Sequence, residues 1–346
     1  LEINVPVDEA RATMQAAIAE MPGAAFRITS IVRPRPGPGE VRVRIAASGV
    51  NPLDAKIHKG EAAHARHPLP AILGLDFAGT VDEVGNGVSR FRTGDEVYGM
   101  TGGVGGIQGS LAEYAVVDAD LLAIKPAKLS MREAASLPLV TITAWEGLVD
   151  RMAIAAGQTL LVQGGAGGVG HVVVQIALAR GAVVFATGSP HSRETIESLG
   201  ATFIDRDEPV ADYVDRMTDG AGFDRVYDTV GGVALDASFN AVRRFGHVVS
   251  CLGWGSHALA PLSFKGATYS GVFTLMPLLS GKGRRHHGEI LEAVAALADG
   301  GELSPIVDPR RFTLATVDDA YRALNAGDGR GKIVVDTTGE NTITDN

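Results

Sequence analysis

The sequence predicts an α/β architecture in which a doubly wound parallel sheet is inserted into a β-rich domain. Three observations carry this. A glycine-rich loop at 164–170 separates an apolar, strand-like run, Leu160–Val162, from a helical run opening near His171. Apolar runs around Val183, Phe203, Val226 and Val248 then alternate with helical segments, the rhythm of β-α-β units. Ahead of residue 130 the texture differs: short strands separated by glycine and proline turns, as in an antiparallel, barrel-like domain.

In chain order, residues 14–33 alternate, with Ala16, Ile18, Phe26, Ile28 and Ile31 as candidate core positions. Residues 33–40 (RPRPGPGE) form a turn, and Val41, Val43 and Ile45 alternate with Arg42 and Arg44 in a half-buried strand. Asn51-Pro52 leads into a short helix carrying Lys56 and His58. Strands are expected within 74–85, 94–99 and 111–117. Ser130 and Glu133 have capping-box spacing at a helix start, and a second helix is expected over 141–152. After the parallel-sheet segment, a helix over 287–298, a strand near Phe312, another helix and a strand over 332–336 complete the chain. The expected division is 1–130 plus 271–346 for the β-rich domain and 131–270 for the parallel-sheet domain.

Within the loop, Gly165, Gly167 and Gly170 spell G-x-G-x-x-G. Such a loop needs one glycine for the tight turn, one to let a pyrophosphate approach the backbone, and one for close helix–strand packing. Gly168 and Val169 complete it, and the free amides and positive end of the new helix suit phosphate. A site for NADH usually has an acid about 20 residues further on. Here that window, Thr187–Arg193, has none, whereas Ser189, Arg193 and, after the next strand, Arg206 suit a 2′-phosphate. The expected cofactor is therefore NADPH; the alternative for Arg193 is a solvated residue in a helix's first turn.

The net charge of −9 argues against nucleic acid or an anionic membrane as partner. No run of 18 apolar residues suggests a membrane span, and the acidic first residues do not resemble a signal peptide, so the cytoplasm is the default expectation. One cysteine, Cys251, precludes an internal disulfide and a multi-cysteine zinc site; it reads as a small buried hydrophobe. His286-His287, beside two arginines, reads as a solvated helix start and not as a ligand pair.

Several stretches together resemble the medium-chain dehydrogenase/reductase (alcohol dehydrogenase) superfamily, in its zinc-free quinone oxidoreductase, zeta-crystallin-like branch. They are 47–54 (ASGVNPLD), 74–81 (GLDFAGTV), 94–99 (GDEVYG), 109–114 and the glycine loop, within a match over about 14–336. The resemblance implies a GroES-like β-rich catalytic domain with an inserted Rossmann domain, and a homodimer or homotetramer joined through the edge of the nucleotide-binding sheet. Where zinc-dependent relatives place Cys, His and Cys, this chain aligns Asn51, Leu75 and about Leu139, so no metal is expected.

The same resemblance implies hydride transfer from NADPH to a quinone or to the β-carbon of an enone or enal. Asn51 is then a candidate amide donor to the developing oxyanion, or simply a turn residue before Pro52. Thr143 matches a threonine beside the nicotinamide, or is helix packing. Lys56 stands where many of the branch have tyrosine; it is an anion-binding donor or, the favoured reading, a solvated lysine. Gly231, Leu252, Gly253, Val272 and Phe273 are implied to line the cofactor, and Lys332 to lie near its phosphates. The loop 102–109 can act as a lid. No tyrosine stands convincingly near Asn51, which counts against an enoyl-thioester reductase, and a zinc-dependent alcohol dehydrogenase is disfavoured for lack of ligands. The rival from another class is an NADPH-binding crystallin-like or redox-sensor protein without important turnover.

Overall fold

A computed structural model of the chain describes residues 12–327 and 329–338. The chain divides into two compact units. One takes the chain up to Lys125, Ser130–Ser136 and the chain from Asp308 onward; the other takes Pro126–Leu129 and Leu137–Val307.

The first unit is built on antiparallel pairing, apart from the parallel pair Phe312–Thr313 and Val334–Asp336. A seven-stranded sheet runs in the order Phe312–Thr313, Val334–Asp336, Glu40–Gly49, Asp76–Val84, Glu96–Met100, Leu122–Ile124, with Tyr114–Asp118 also paired to Glu40–Gly49. The expected alternation holds: Val41, Val43 and Ile45 are fully buried and pack with Phe77, Val81, Phe91 and Val97. A smaller sheet joins Arg27–Val32, Thr13–Ala19 and Ala71–Ile72. Ile28, expected in the core, is exposed, because it lies on the outer strand of this small sheet; Ile31 of the same strand packs on Met14, Ala16 and Ala112.

The second unit contains a six-stranded, wholly parallel sheet. Its order is Thr202–Asp205, Val183–Gly188, Thr159–Gln163, Phe223–Asp228, Val242–Ser250, Thr268–Gly271. Numbered along the chain this is 3-2-1-4-5-6, the dinucleotide-binding order, with its switch point between the strands ending at Gln163 and Asp228. Parallel strands covered on both faces read as continuous apolar runs, and Leu160, Leu161 and Val162 are all fully buried. The helix Gly170–Ala179 is apolar nearly all round because it too is buried.

The boundaries differ from the expected division at 130/131 and 270/271. Thr268–Gly271 is the sixth parallel strand, and the helix Arg284–Gly300 packs on Pro138–Trp145, so the chain re-enters the first unit only at Asp308. The capped helix Met131–Ala135 belongs to the first unit, packed on Glu40–Gly49 and Asp76–Val84; its capping box is present, with Ser130 N donating to Glu133 Oε2 at 2.8 Å. The helix expected over 141–152 starts at Pro138, a residue preorganised for a first turn, and continues from Glu146 to Arg151 as a π-helical turn. His287, expected to be solvated, is fully buried, with Nε2 3.3 Å from Glu146 Oε1, whereas His286 is half-exposed against Asp150. No described helix is long and apolar enough to cross a membrane.

One buried carboxylate fixes the return to the first unit. Asp308 accepts from Arg310 Nε at 2.8 Å, from Arg310 N at 3.0 Å and from Arg330 N at 2.9 Å, and its own amide donates to Lys332 O at 2.9 Å. The Arg310 guanidinium and these amides hold its carboxyl down to about 2. A depressed carboxylate stabilises the fold above its unfolded value and loses that contribution as pH falls through its folded one. Asp308→Asn is therefore expected to cost about 1–2 kcal/mol at pH 7, with the gap from the native protein closing between about pH 4 and pH 2 in denaturant titrations.

Candidate functional site

At the switch point the strand Thr159–Gln163 runs into the glycine loop. Gly165 is pressed against the neighbouring strand, where a Cβ would stand 2.4 Å from Ala186 Cβ, and at Gly170 it would stand 2.1 Å from Gly164 O. At Gly167, by contrast, a Cβ would meet only Gly164 O, at 3.2 Å. The amides of Gly168, Val169 and Gly170 make no hydrogen bond to any other described residue. Unsatisfied amides at the mouth of a buried helix, beside two glycines with no room for a Cβ, fit a dinucleotide pyrophosphate.

The next strand ends at Gly188, whose carbonyl accepts from Arg206 N at 2.9 Å. Ser189 begins the following turn, and Arg193 lies over the Phe203 ring at 4.1 Å, ion-paired with Glu197. Ser189 and Arg206 thus directly follow two paired strands, and Arg193 opens the helix Arg193–Ser198 between them; both arginines are exposed. Sequence reasoning missed Asp205 at the same edge, paired in register with Gly188; its Oδ1 accepts from Asp207 N at 3.0 Å.

On the other side of the switch point the buried carboxylate of Asp228 organises the edge, a residue not singled out from sequence. It accepts from Val230 N at 3.1 Å, Gly231 N at 3.0 Å and Ser250 Oγ at 2.6 Å. Ser250 Oγ in turn accepts from Leu252 N at 3.0 Å, and Ser250 O accepts from Val272 N at 2.9 Å. Gly231, Leu252, Gly253, Val272 and Phe273 are thereby gathered at three consecutive strand ends. Cys251, half-buried between them, has its thiol pushed up to about 12 by burial and by Asp228, so it is not a thiolate nucleophile. Thr143 is buried; its Oγ1 donates to Leu139 O at 2.7 Å and its carbonyl accepts from the buried Tyr227 OH at 2.6 Å.

The first unit holds a second constellation. Asn51 precedes the helix Pro52–His58 and is fully buried. Its Nδ2 donates to Asp76 Oδ2 at 2.9 Å, its backbone amide donates to Asp54 Oδ2 at 2.8 Å, and its Oδ1 accepts from Lys332 Nζ. Lys332 was expected near cofactor phosphates; it is buried here, also donating to Val50 O at 3.3 Å, with its pKa lowered by burial. Lys56 lies on the exposed face of the helix and joins none of this. Burial pushes the Asp54 carboxyl up to about 7, reinforced by Asp76 and opposed by the Asn51 amide and Lys332. The tyrosine not found from sequence is Tyr321: it is buried on the helix Val317–Ala326, which packs on Pro52–His58, and lies edge-on to His58. The 102–109 loop is tied down by Gly103 N to Ile107 O at 3.0 Å, Gly105 N to Ala65 O at 2.9 Å and Gly106 N to His67 Nδ1 at 3.2 Å.

A zinc ion does not fit the positions where zinc-dependent relatives bind one. Asn51 is already engaged through both ends of its amide, and Leu75 and Leu139 offer only hydrocarbon. Among the described residues, no three His, Cys, Asp or Glu side chains form a group able to hold a metal ion.

The glycine geometry separates binding from folding. Gly167→Ala is expected to leave the melting temperature within about 2 °C of the native value and to weaken dinucleotide binding at least about tenfold, by calorimetric titration. Gly165→Ala should lower both, because its Cβ has no room against Ala186.

Comparison with known proteins agrees with this architecture. Residues 37–127 match the alcohol dehydrogenase GroES-like domain, and 199–335 match the family described as zinc-binding dehydrogenase. The chain is 34% identical over 316 residues to the chloroplastic NADPH-dependent alkenal/one oxidoreductase of Arabidopsis thaliana, covering 89% of this chain and 74% of that protein. It is 36% identical over 305 residues to the 2-methylene-furan-3-one reductase of Solanum lycopersicum, covering 86% and 71% respectively. An alcohol dehydrogenase superfamily protein from Novosphingobium aromaticivorans superposes with a TM-score of 0.93 at 58% identity, covering 94% of this chain and 100% of that one. The chain belongs to the medium-chain dehydrogenase/reductase superfamily of oxidoreductases, joining a GroES-like domain to a Rossmann domain.

Proposed function

We propose that this protein is an NADPH-dependent reductase that adds hydride to the β-carbon of an α,β-unsaturated aldehyde or ketone, without zinc. The observation that carries the reading is the glycine cradle with two exposed arginines, Arg193 over the Phe203 ring and Arg206 after the same strand, beside it. The alkenal/one and furanone reductases, similar over most of the chain, support the acceptor class.

Bound NADPH supplies the hydride. The amides of Gly168, Val169 and Gly170 hold the pyrophosphate, and Ser189, Arg193 and Arg206 hold the 2′-phosphate. Gly231, Leu252, Gly253, Val272 and Phe273 shape the rest of the crevice. As the β-carbon gains hydride, the electron pair moves onto the carbonyl oxygen, and the second Nδ2–H of Asn51, the one not given to Asp76, donates to that oxygen. The enolate is then protonated at its α-carbon by water. With no Lewis acid required, the acceptor must be electrophilic already, which an enone, an enal or a quinone is and a simple alcohol's ketone is not. A second copy of the chain is the proposed partner, seated on the edge strand Thr268–Gly271.

NADPH oxidation with short enals or cyclic enones, unchanged by chelator, is the expected outcome; activity confined to a simple ketone, or abolished by chelator, would overturn the reading. Quinones in the same assay rank the acceptors, and tight NADPH binding without turnover of any acceptor would indicate a sensor. Replacing Arg193 and Arg206 together with alanine should raise the Kd for NADPH at least about tenfold while leaving that for NADH nearly unchanged, by fluorescence titration.

A further inference from the structure

Around Asn51 the first unit buries more charge than a turn residue needs. Asp54 and Asp76 are fully buried, and Lys332 is 7% exposed. Lys332 Nζ donates to Asn51 Oδ1, and Asp76 Oδ2 accepts from Asn51 Nδ2 at 2.9 Å. With its oxygen held by a cation and one N–H held by an anion, the amide cannot flip, because either exchange would set donor against donor or acceptor against acceptor. One N–H remains, and its direction is fixed.

Asp54 stands differently. Its Oδ2 accepts from the backbone amide of Asn51 at 2.8 Å, but Oδ1 is buried with no hydrogen-bond partner. The Tyr321 hydroxyl, electrostatically coupled to Asp54, is likewise buried without one. Two carboxylates against one ammonium leave one net negative charge when all three are ionised, and none when one carboxyl is protonated. The under-bonded carboxyl is the one that takes the proton. The other groups facing it are few. His58, one turn along the same helix, stacks on Phe26 at 4.6 Å, while Lys56 and Lys59 of that segment are exposed.

We propose that Asp54, Asp76 and Lys332 form a proton-exchanging positioning cluster that fixes the amide of Asn51 and switches the charge behind it between neutral and one negative. This rests on the enone-reductase reading, in which Asn51 donates to an oxygen gaining negative charge. A neutral cluster supports that donor; an ionised Asp54 opposes the charge developing on the oxygen. The group that sets the pH dependence of turnover is then Asp54, which does not touch the acceptor.

The sign follows from the raised carboxyl. Burial lifts Asp54 from 3.8 to about 7, so the folded state binds a proton that the unfolded chain releases. Its contribution to stability is complete below the unfolded value and is lost as pH rises through about 7. Asp54→Asn, of the same shape and uncharged, removes both effects.

The test measures kcat and KM for one enal, with saturating NADPH, from about pH 6 to 9, and the melting temperature from about pH 4 to 9, in the full chain. The native protein is expected to lose roughly tenfold in kcat as pH rises through neutrality. Asp54→Asn should give a flat kcat profile, and a melting temperature that gains on the native one between about pH 4 and pH 7 and keeps a constant lead above that. Tyr321→Phe, which removes the other partnerless oxygen and no group ionising in this range, should keep the native step. If Asp54→Asn does not fold, Lys332→Met is read instead: losing the ammonium should move the step to higher pH, and an unmoved step overturns the proposal. A native-like step in Asp54→Asn, or a melting difference that does not change with pH, also overturns it. If no enal or enone is reduced at any pH, the enone reading fails by itself, and the melting arm still decides whether the cluster exchanges its proton.

Discussion

A carboxylate taken out of water must be given hydrogen bonds, be given a cation, or give up its charge, and this chain meets that constraint in three ways. Asp228 receives two backbone amides and a hydroxyl, and so ties together the strand ends that shape the crevice of the parallel sheet. Asp308 receives a guanidinium and two amides, and so pins the chain where it returns to the first unit. Asp54 receives one amide for one oxygen and nothing for the other, and its carboxyl rises to about 7. The well-bonded pair are structural clamps; the under-bonded one has a proton to exchange.

The two units divide the chemical work according to what each architecture can supply. A parallel sheet with a reversal in strand order leaves a crevice beside a helix mouth, and that geometry offers amides and dipole to phosphate without any charged side chain. Beside that sheet edge, Arg193 on the helix Arg193–Ser198 and Arg206 after the strand Thr202–Asp205 are exposed. The antiparallel unit's strands bring sequence-distant polar groups together under a common core. Asn51, Asp76 and Lys332 come from a helix start, a central strand and the approach to a late strand. Placing the last near an amide carbonyl instead of near solvent makes it a fixed donor, at the cost of a lowered pKa.

The departures from expectation share a cause. Ile28 was placed in the core by alternation, and alternation reports a half-buried strand without telling which of two sheets the strand joins, or whether it lies at an edge. His287 looked solvated among basic neighbours, but its helix turns it inward to Glu146 of the π-helical turn. The boundary expected at 270/271 fell at the end of the sheet's sixth strand, Thr268–Gly271, and the helix expected over 287–298 belongs to the parallel-sheet unit, which runs on to Val307.

The sequence alone determined the features whose physics is local: the glycine loop between strand and helix, the β-α-β rhythm, the capping box at Ser130 and the alternation in Glu40–Gly49. Each is written within a few residues, as a backbone requirement or a period. Only the tertiary structure decided that Asn51 shares its amide between Asp76, 25 residues away, and Lys332, 281 away, and that Tyr321 lies beside the helix carrying Asp54. Nothing in a local window encodes such a meeting, because long-range burial sets which charges face one another and which of them keeps its proton.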